Sequence, residues 1–166
     1  AKAVADGLAV ADSRFTYAIG KLVLWSKDPA TVKGAETLKA NTFTKLSIAN
    51  PTAAPYGVAA IETLTSLGIH DAVKDRIVMG NSIAQAFQFI DTANAELGFV
   101  ALSQVVNRTD GSRWLVDQKL YKPIRQDAVL LKTGAGSEAA KAFMAYLKGP
   151  EAKAVIARYG YVDRLD

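Results

Sequence analysis

Two prolines, Pro51 and Pro55, constrain this chain more than any other feature. They punctuate the stretch Lys45-Leu46-Ser47-Ile48-Ala49-Asn50-Pro51-Thr52-Ala53-Ala54-Pro55-Tyr56-Gly57-Val58. Leu46, Ile48 and Ala49 make a short apolar strand, and Pro51 stops it. Pro55 suits the first turn of a helix, where a missing N–H removes no hydrogen bond. Val58, Ile61, Leu64 and Leu67 then recur every three residues, as one helix face does. The first amides of such a helix lack carbonyl partners and sit at the positive end of its dipole. A strand handing over to such a tip is either an ordinary strand-to-helix turn or a place to hold an anion.

The rest of the chain supplies a frame for this unit. Its 166 residues suffice for one domain or two small lobes. Half of them are hydrophobic, which is enough for a core and argues against disorder. No apolar run approaches the ~18 residues needed to cross a membrane. No leader pattern follows Ala1, so no signal peptide is legible. The absence of cysteine removes disulfides, thiolate metal sites and Cys nucleophiles. The net charge of +4 is spread among acidic neighbours rather than gathered with aromatics, so nucleic acid is not an expected partner.

Read in order, Ala1 to Leu8 is a short helix limited by Gly7. Arg14–Tyr17 and Lys21–Ser26 are extended, and Gly34–Phe43 is helical. After the proline-marked unit, Gly68 ends its helix. Ile69–Asp75 is a further helical turn and Arg76–Met79 a strand. Ser82 with Gln85 three residues on is a capping-box pattern. It opens a helix carrying Ile83, Ala86, Phe87, Ile90 and Ala93 on one face. Leu97–Leu102 is a nearly continuous apolar run, as in a parallel sheet covered on both sides. A short helical piece at Ser103–Val106, a polar loop and a strand at Trp114–Val116 follow. Leu120–Gln126 reads as a polar linker or crossover, and Ala128–Leu131 as extended. Two amphipathic helices close the chain, the first capped by Ser137, the second beginning after Gly149-Pro150. Alternating strands and helices from residue 20 to 118 predict an α/β sheet.

Chemistry-bearing residues are sparse. His70 is the one histidine, with no Ser or Asp pattern to make it a base. A zinc site would have to rely on carboxylates. Gly134-Ala135-Gly136-Ser137 is the nearest glycine-rich turn and reads as a flexible lead-in to a capped helix. Phe87, Phe89 and Tyr146 lie in helices and read as core or groove surface. No catalytic residues emerge, and the chain reads as a non-enzyme. Two helix starts remain, at Pro55-Tyr56-Gly57 and Ser82-Ile83-Ala84. Both follow strand C-termini, where open α/β sheets place ligands.

Four motifs in order carry a resemblance over residues 1–162. They are Leu46-Ser47-Ile48-Ala49-Asn50-Pro51 with Ala54-Pro55-Tyr56-Gly57; Glu96-Leu97-Gly98-Phe99-Val100-Ala101-Leu102-Ser103; Tyr146-Leu147-Lys148-Gly149-Pro150-Glu151-Ala152; and Arg158-Tyr159-Gly160. With them the chain resembles the periplasmic molybdate-binding proteins of ABC importers. The resemblance implies a class II periplasmic-binding-protein fold of two lobes with the oxyanion held between them. It implies backbone N–H contacts to the anion at Tyr56 and Ile83, so that molybdenum is held through the bound molybdate and there is no separate cofactor. A tyrosine hydroxyl that some members add falls at Ala101 here and is missing. Tyr56 is expected to compensate by closing over the anion.

The family's opening strand and hydroxyl-bearing loops have no counterpart in this sequence. The chain is therefore expected to be a truncated fragment: one complete lobe plus remnants of the other. Residues 1–24 would be a remnant of the first lobe and a crossing strand, 25–121 the second lobe, and 122–166 the return strand and closing helices. Phe143, Leu147, Val155 and Ile156 would then lack partners, which predicts self-association or a domain swap. The implied function is capture of molybdate or tungstate in the periplasm for an ABC transporter membrane subunit, impaired here by lost donors. The alternative is the ligand-binding domain of a LysR-type transcription regulator, which shares the two-lobed fold.

Overall fold

The computed structural model describes residues 2–165. Ala1 and Asp166, which the expected first and last segments include, lie outside them. The helices are α1 (Lys2–Ala5), α2 (Ala35–Ala40), α3 (Pro55–Ser66), α4 (His70–Val73), α5 (Ile83–Asp91), α6 (Leu102–Val105), α7 (Glu138–Lys148) and α8 (Pro150–Arg158). The strands are β1 (Phe15–Gly20), β2 (Leu22–Ser26), β3 (Leu46–Ala49), β4 (Ile77–Gly80), β5 (Leu97–Ala101), β6 (Ser112–Leu115) and β7 (Ile124–Ala128). They fall into two units, one of residues Ala1–Gly20 with Arg125–Asp166, the other Lys21–Ile124.

The continuous unit is a five-stranded sheet ordered β4-β3-β5-β2-β6. β3 runs parallel to β4 and β5, while β2 runs antiparallel to β5 and β6. The sheet is thus mixed, where the apolar run at Leu97 suggested a parallel one. Such a run reports that both faces are covered, whatever the direction of the neighbours. Alternation along β2 sorts two cores. Leu22 and Leu24 join Leu46, Ile48, Leu64 and Phe99 on the α3 side, and Val23 and Trp25 join Ile90 and Val100 on the α5 side. The chain begins and ends this unit side by side, because the Leu22 N–H donates to the Tyr121 hydroxyl at 3.1 Å and the Val116 N–H to the Leu22 carbonyl at 3.0 Å.

The buried face of α3 is Tyr56, Gly57, Ala59, Ala60, Thr63 and Leu64. Of the expected row, Leu64 is buried but Val58 is exposed. A step of three residues drifts around a 3.6-residue helix, whereas the steps of three and four at 56, 59, 60, 63 and 64 stay on one side. Thr63 is buried without cost to its hydroxyl, which donates to the Ala59 carbonyl at 2.8 Å. α5 stops at Asp91, and Ala93 lies beyond it with a left-handed φ of 59°, so it is not on the helix face assigned from sequence.

In the other unit β1 pairs with β7. Isolated antiparallel bridges join Ala9 to Leu131 and Ile19 to Val162. β7 takes in the last three residues of the stretch read as a linker or crossover, and Asp127 within it is tied into the unit by Arg14 and Thr16, both at 2.7 Å. α7 buries none of its residues, and α8 buries Ala152 alone. Phe143 is 60% and Val155 44% exposed, while Leu147 and Ile156 are half-buried.

Candidate oxyanion-binding site

The two helix starts lie at the same end of the sheet. β3 and β4 are neighbouring parallel strands in register Ala49↔Gly80, each followed by a helix, α3 after β3 and α5 after β4. The helices cover opposite faces, so their N-terminal turns flank the C-terminal edge from either side. The Asn50 N–H donates to the Gly80 carbonyl at 2.8 Å, tying the two strand-to-helix loops together.

Each loop has a local reason to hold its shape. After β3, the amides of Ala53 and Ala54 donate to the Asn50 carbonyl at 3.1 and 2.9 Å, and the Asn50 side chain accepts from the Thr52 amide and hydroxyl. A Cβ on Gly57 would lie 2.1 Å from the Ala49 carbonyl oxygen, so only glycine lets α3 start this close to its strand. After β4, the same holds for Gly80, whose Cβ would meet the Ala86 nitrogen at 2.6 Å. The Ser82 hydroxyl accepts from the Gln85 amide at 3.2 Å as the capping pattern predicts. The Gln85 side chain reaches one residue further back than expected, accepting from the Asn81 N–H at 2.6 Å.

Tyr56 occupies the first turn of α3 with its ring buried in the α3-side core, at 7% exposure. A ring buried there is not placed to close over a ligand, contrary to the closure expected of it. Ile83 opens α5, and as first residue its N–H has no intrahelical acceptor. Between Ala49 and Gly57, Gly80 and Ala86, and Ala101 and Gln104, the sequence contains no Asp, Glu, Lys, Arg or His. The donors at this edge are therefore fixed dipoles, not charges.

Ala101, at the end of β5, is buried and its N–H is taken by the Gln104 side-chain oxygen at 3.0 Å. Gln104 also donates to the Ile83 carbonyl at 3.1 Å. Reading the sequence missed this residue and the Gly80 contact. The one available signal was the Gln three positions after Ala101, and the alanine at the cap position disguises it.

His70 starts α4 with its Nδ1 4.0 Å from the Asp71 carboxylate. The Ser137 hydroxyl accepts from the Ala140 amide at 3.2 Å, so the glycine-rich turn leads into a cap. Phe87 stacks on Trp25 at 5.3 Å between ring centroids. Among the described residues no cluster of His, Cys, Asp and Glu could hold a metal ion, and no helix is long and apolar enough to cross a membrane.

Parallel strands feeding helix tips at one sheet edge are where open α/β sheets place ligands. The chain belongs to the family of bacterial extracellular solute-binding proteins, whose profile matches residues 1–162. Within it, the chain is similar to two proteins named molybdate-binding protein ModA. That of Rhodobacter capsulatus is 53% identical over 161 residues, covering 97% of this chain and 64% of the relative. That of Azotobacter vinelandii is 58% identical over 161 residues, covering 94% and 64%. The structure of the Azotobacter vinelandii periplasmic molybdate-binding protein superposes with a TM-score of 0.92 at 42% identity, covering 99% of this chain and 74% of that one. The α/β architecture is thus that of the periplasmic solute-binding proteins. The chain spans 64% of the length of these ModA relatives.

Proposed function

We propose that this chain binds a tetrahedral dianion, molybdate or tungstate, through the backbone amides of Tyr56 and Ile83, as part of a periplasmic protein that delivers it to an ABC transporter membrane subunit. The observation that carries this is the pair of helix starts on adjacent parallel strands, locked together by the Asn50–Gly80 hydrogen bond. The identity to molybdate-binding relatives supports the choice of guest. The metal is held through the oxyanion's own oxygens, so the chain needs no cofactor. The role is binding, not catalysis, and none of the relatives described supports the LysR-type alternative.

The physical logic is replacement of hydration water by backbone amides at the two helix starts. Hydrogen bonds to a charged acceptor contribute about 1.5–3 kcal/mol each. Two of them correspond to affinity on the order of millimolar. Binding by this chain is therefore weak. The exposed apolar residues Phe143 and Val155 favour self-association of the isolated chain.

Amide NMR of the 15N-labelled chain, titrated with sodium molybdate to about 10 mM, tests the site. Saturating shifts at residues 56 and 83, matched by tungstate and larger than those from sulfate or phosphate, are expected. Unmoved amides at both positions reject the reading. Analytical ultracentrifugation tests the association, and a clean monomer at every concentration rejects it.

A further inference from the structure

We infer that Gln104 is a positioning residue for this site and that the Ala84 N–H is a further donor to the anion. The inference rests on the oxyanion reading above and extends it to groups that reading does not include. Gln104 lies half-buried in α6, immediately after β5. Its carboxamide spans two elements: Oε1 accepts from the Ala101 N–H at 3.0 Å and Nε2 donates to the Ile83 carbonyl at 3.1 Å. These bonds fix the amide's orientation, because one partner is a donor and the other an acceptor.

The carbonyl of Ile83 and the N–H of Ala84 belong to one planar peptide unit. Holding the oxygen therefore sets the direction of that N–H. Ala84 is the second residue of α5, so its amide has no intrahelical acceptor and is free to serve a ligand. A donor on the carbonyl also polarises the peptide and strengthens the N–H opposite it. The Gln85 amide, next along, is already taken by the Ser82 hydroxyl. The donors left at this tip are thus Ile83 and Ala84, and only the Ala84 peptide is gripped from outside its own helix. Gln104 joins the end of β5 to the tip of α5, which holds that peptide in register with the sheet edge. The tip is preorganised, so little ordering is needed when the anion arrives.

The test uses the full chain, the same 15N titration with sodium molybdate, and two variants. Gln104→Met keeps the length and removes both hydrogen bonds. Gln104→Asn keeps the carboxamide but is one methylene too short to span both partners. In the parent chain the Ala84 amide is expected to shift in parallel with Ile83. In either variant the molybdate Kd is expected to rise about tenfold and the Ala84 shift to collapse, while a reduced Tyr56 shift remains. A purely structural role would lower the melting temperature but leave the Kd and the Ala84 shift as they were, and that result overturns the inference. An Ala84 amide that stays put in the parent while 56 and 83 move also overturns it. If neither 56 nor 83 moves in the parent, the oxyanion reading fails. The positioning claim is then judged without anion, by hydrogen exchange at Ala84 and Ala101, expected to quicken in both variants and fatal to the claim if unchanged. Should one variant fail to fold, the other carries the same comparison.

Discussion

α3 and α7 are nearly the same length and both amphipathic, yet they end in opposite situations. α3, of 12 residues, buries six of them against the five-stranded sheet. α7, of 11 residues, buries none, and Phe143 on its apolar face is 60% exposed. An apolar stripe states that a helix wants a cover but does not say what the cover is. In the unit of Lys21–Ile124 the cover is present and the packing is tight enough to forbid a methyl group at Gly57, Gly80 and Gly98. In the other unit the bonds described join residues more than a hundred positions apart: a strand pair, two isolated bridges and the Asp127 cluster.

The sharpest way to break this contrast is to add one methyl group to each unit. Gly57→Ala drives Cβ against the Ala49 carbonyl and is expected to cost about 3 kcal/mol. Gly136→Ala meets nothing within 4 Å and is expected to stabilise by about 0.5 kcal/mol. Urea unfolding followed by tryptophan fluorescence reports the first, since Trp25 and Trp114 both lie in the continuous unit. Residue-resolved hydrogen exchange reports the second. Equal effects would show that the two units are packed alike.

Truncating side chains gives a difference of comparable size. Leu64→Ala is expected to cost about 2–5 kcal/mol, and Phe143→Ala in monomeric chain less than about 0.5 kcal/mol. A large loss at Phe143 would mean that its face is covered in solution. The capping residues then sharpen the comparison. Ser82→Ala and Ser137→Ala each remove a cap worth about 1 kcal/mol, but only the former is expected to weaken molybdate binding in the same titration.

The smallest effect is electrostatic. The Asp127 carboxyl is held below its ordinary range by the Thr16 hydroxyl and then by Arg14. A lowered folded-state pKa stabilises above the unfolded value and is lost as pH falls through the folded one. Exchange protection around β7 should therefore fall below about pH 4. Asp127→Asn should remove that dependence while lowering stability at neutral pH.

The same contrast explains what the sequence disclosed. The start of α3 and the cap of α5 were legible because Pro55 and Ser82 act within one turn of their own positions. The resemblance to molybdate-binding proteins was legible because four short motifs fall in order along the chain, the first of them at the start of α3. A return strand after residue 122 was expected from the resemblance, but the bounds of β7 and its ties to Arg14 and Thr16, more than a hundred residues away, were not legible. The direction of β2 was hidden because an apolar run is the same read from either end. Gln104 was missed because its two bonds reach a strand end and a helix in separate parts of the chain.

The adjoining first and last turns of the continuous unit, where Tyr121 meets Leu22, have a practical consequence. That span has the layout of a cassette: its ends lie close enough for a few glycines and serines to close it into a ring without reordering its strands.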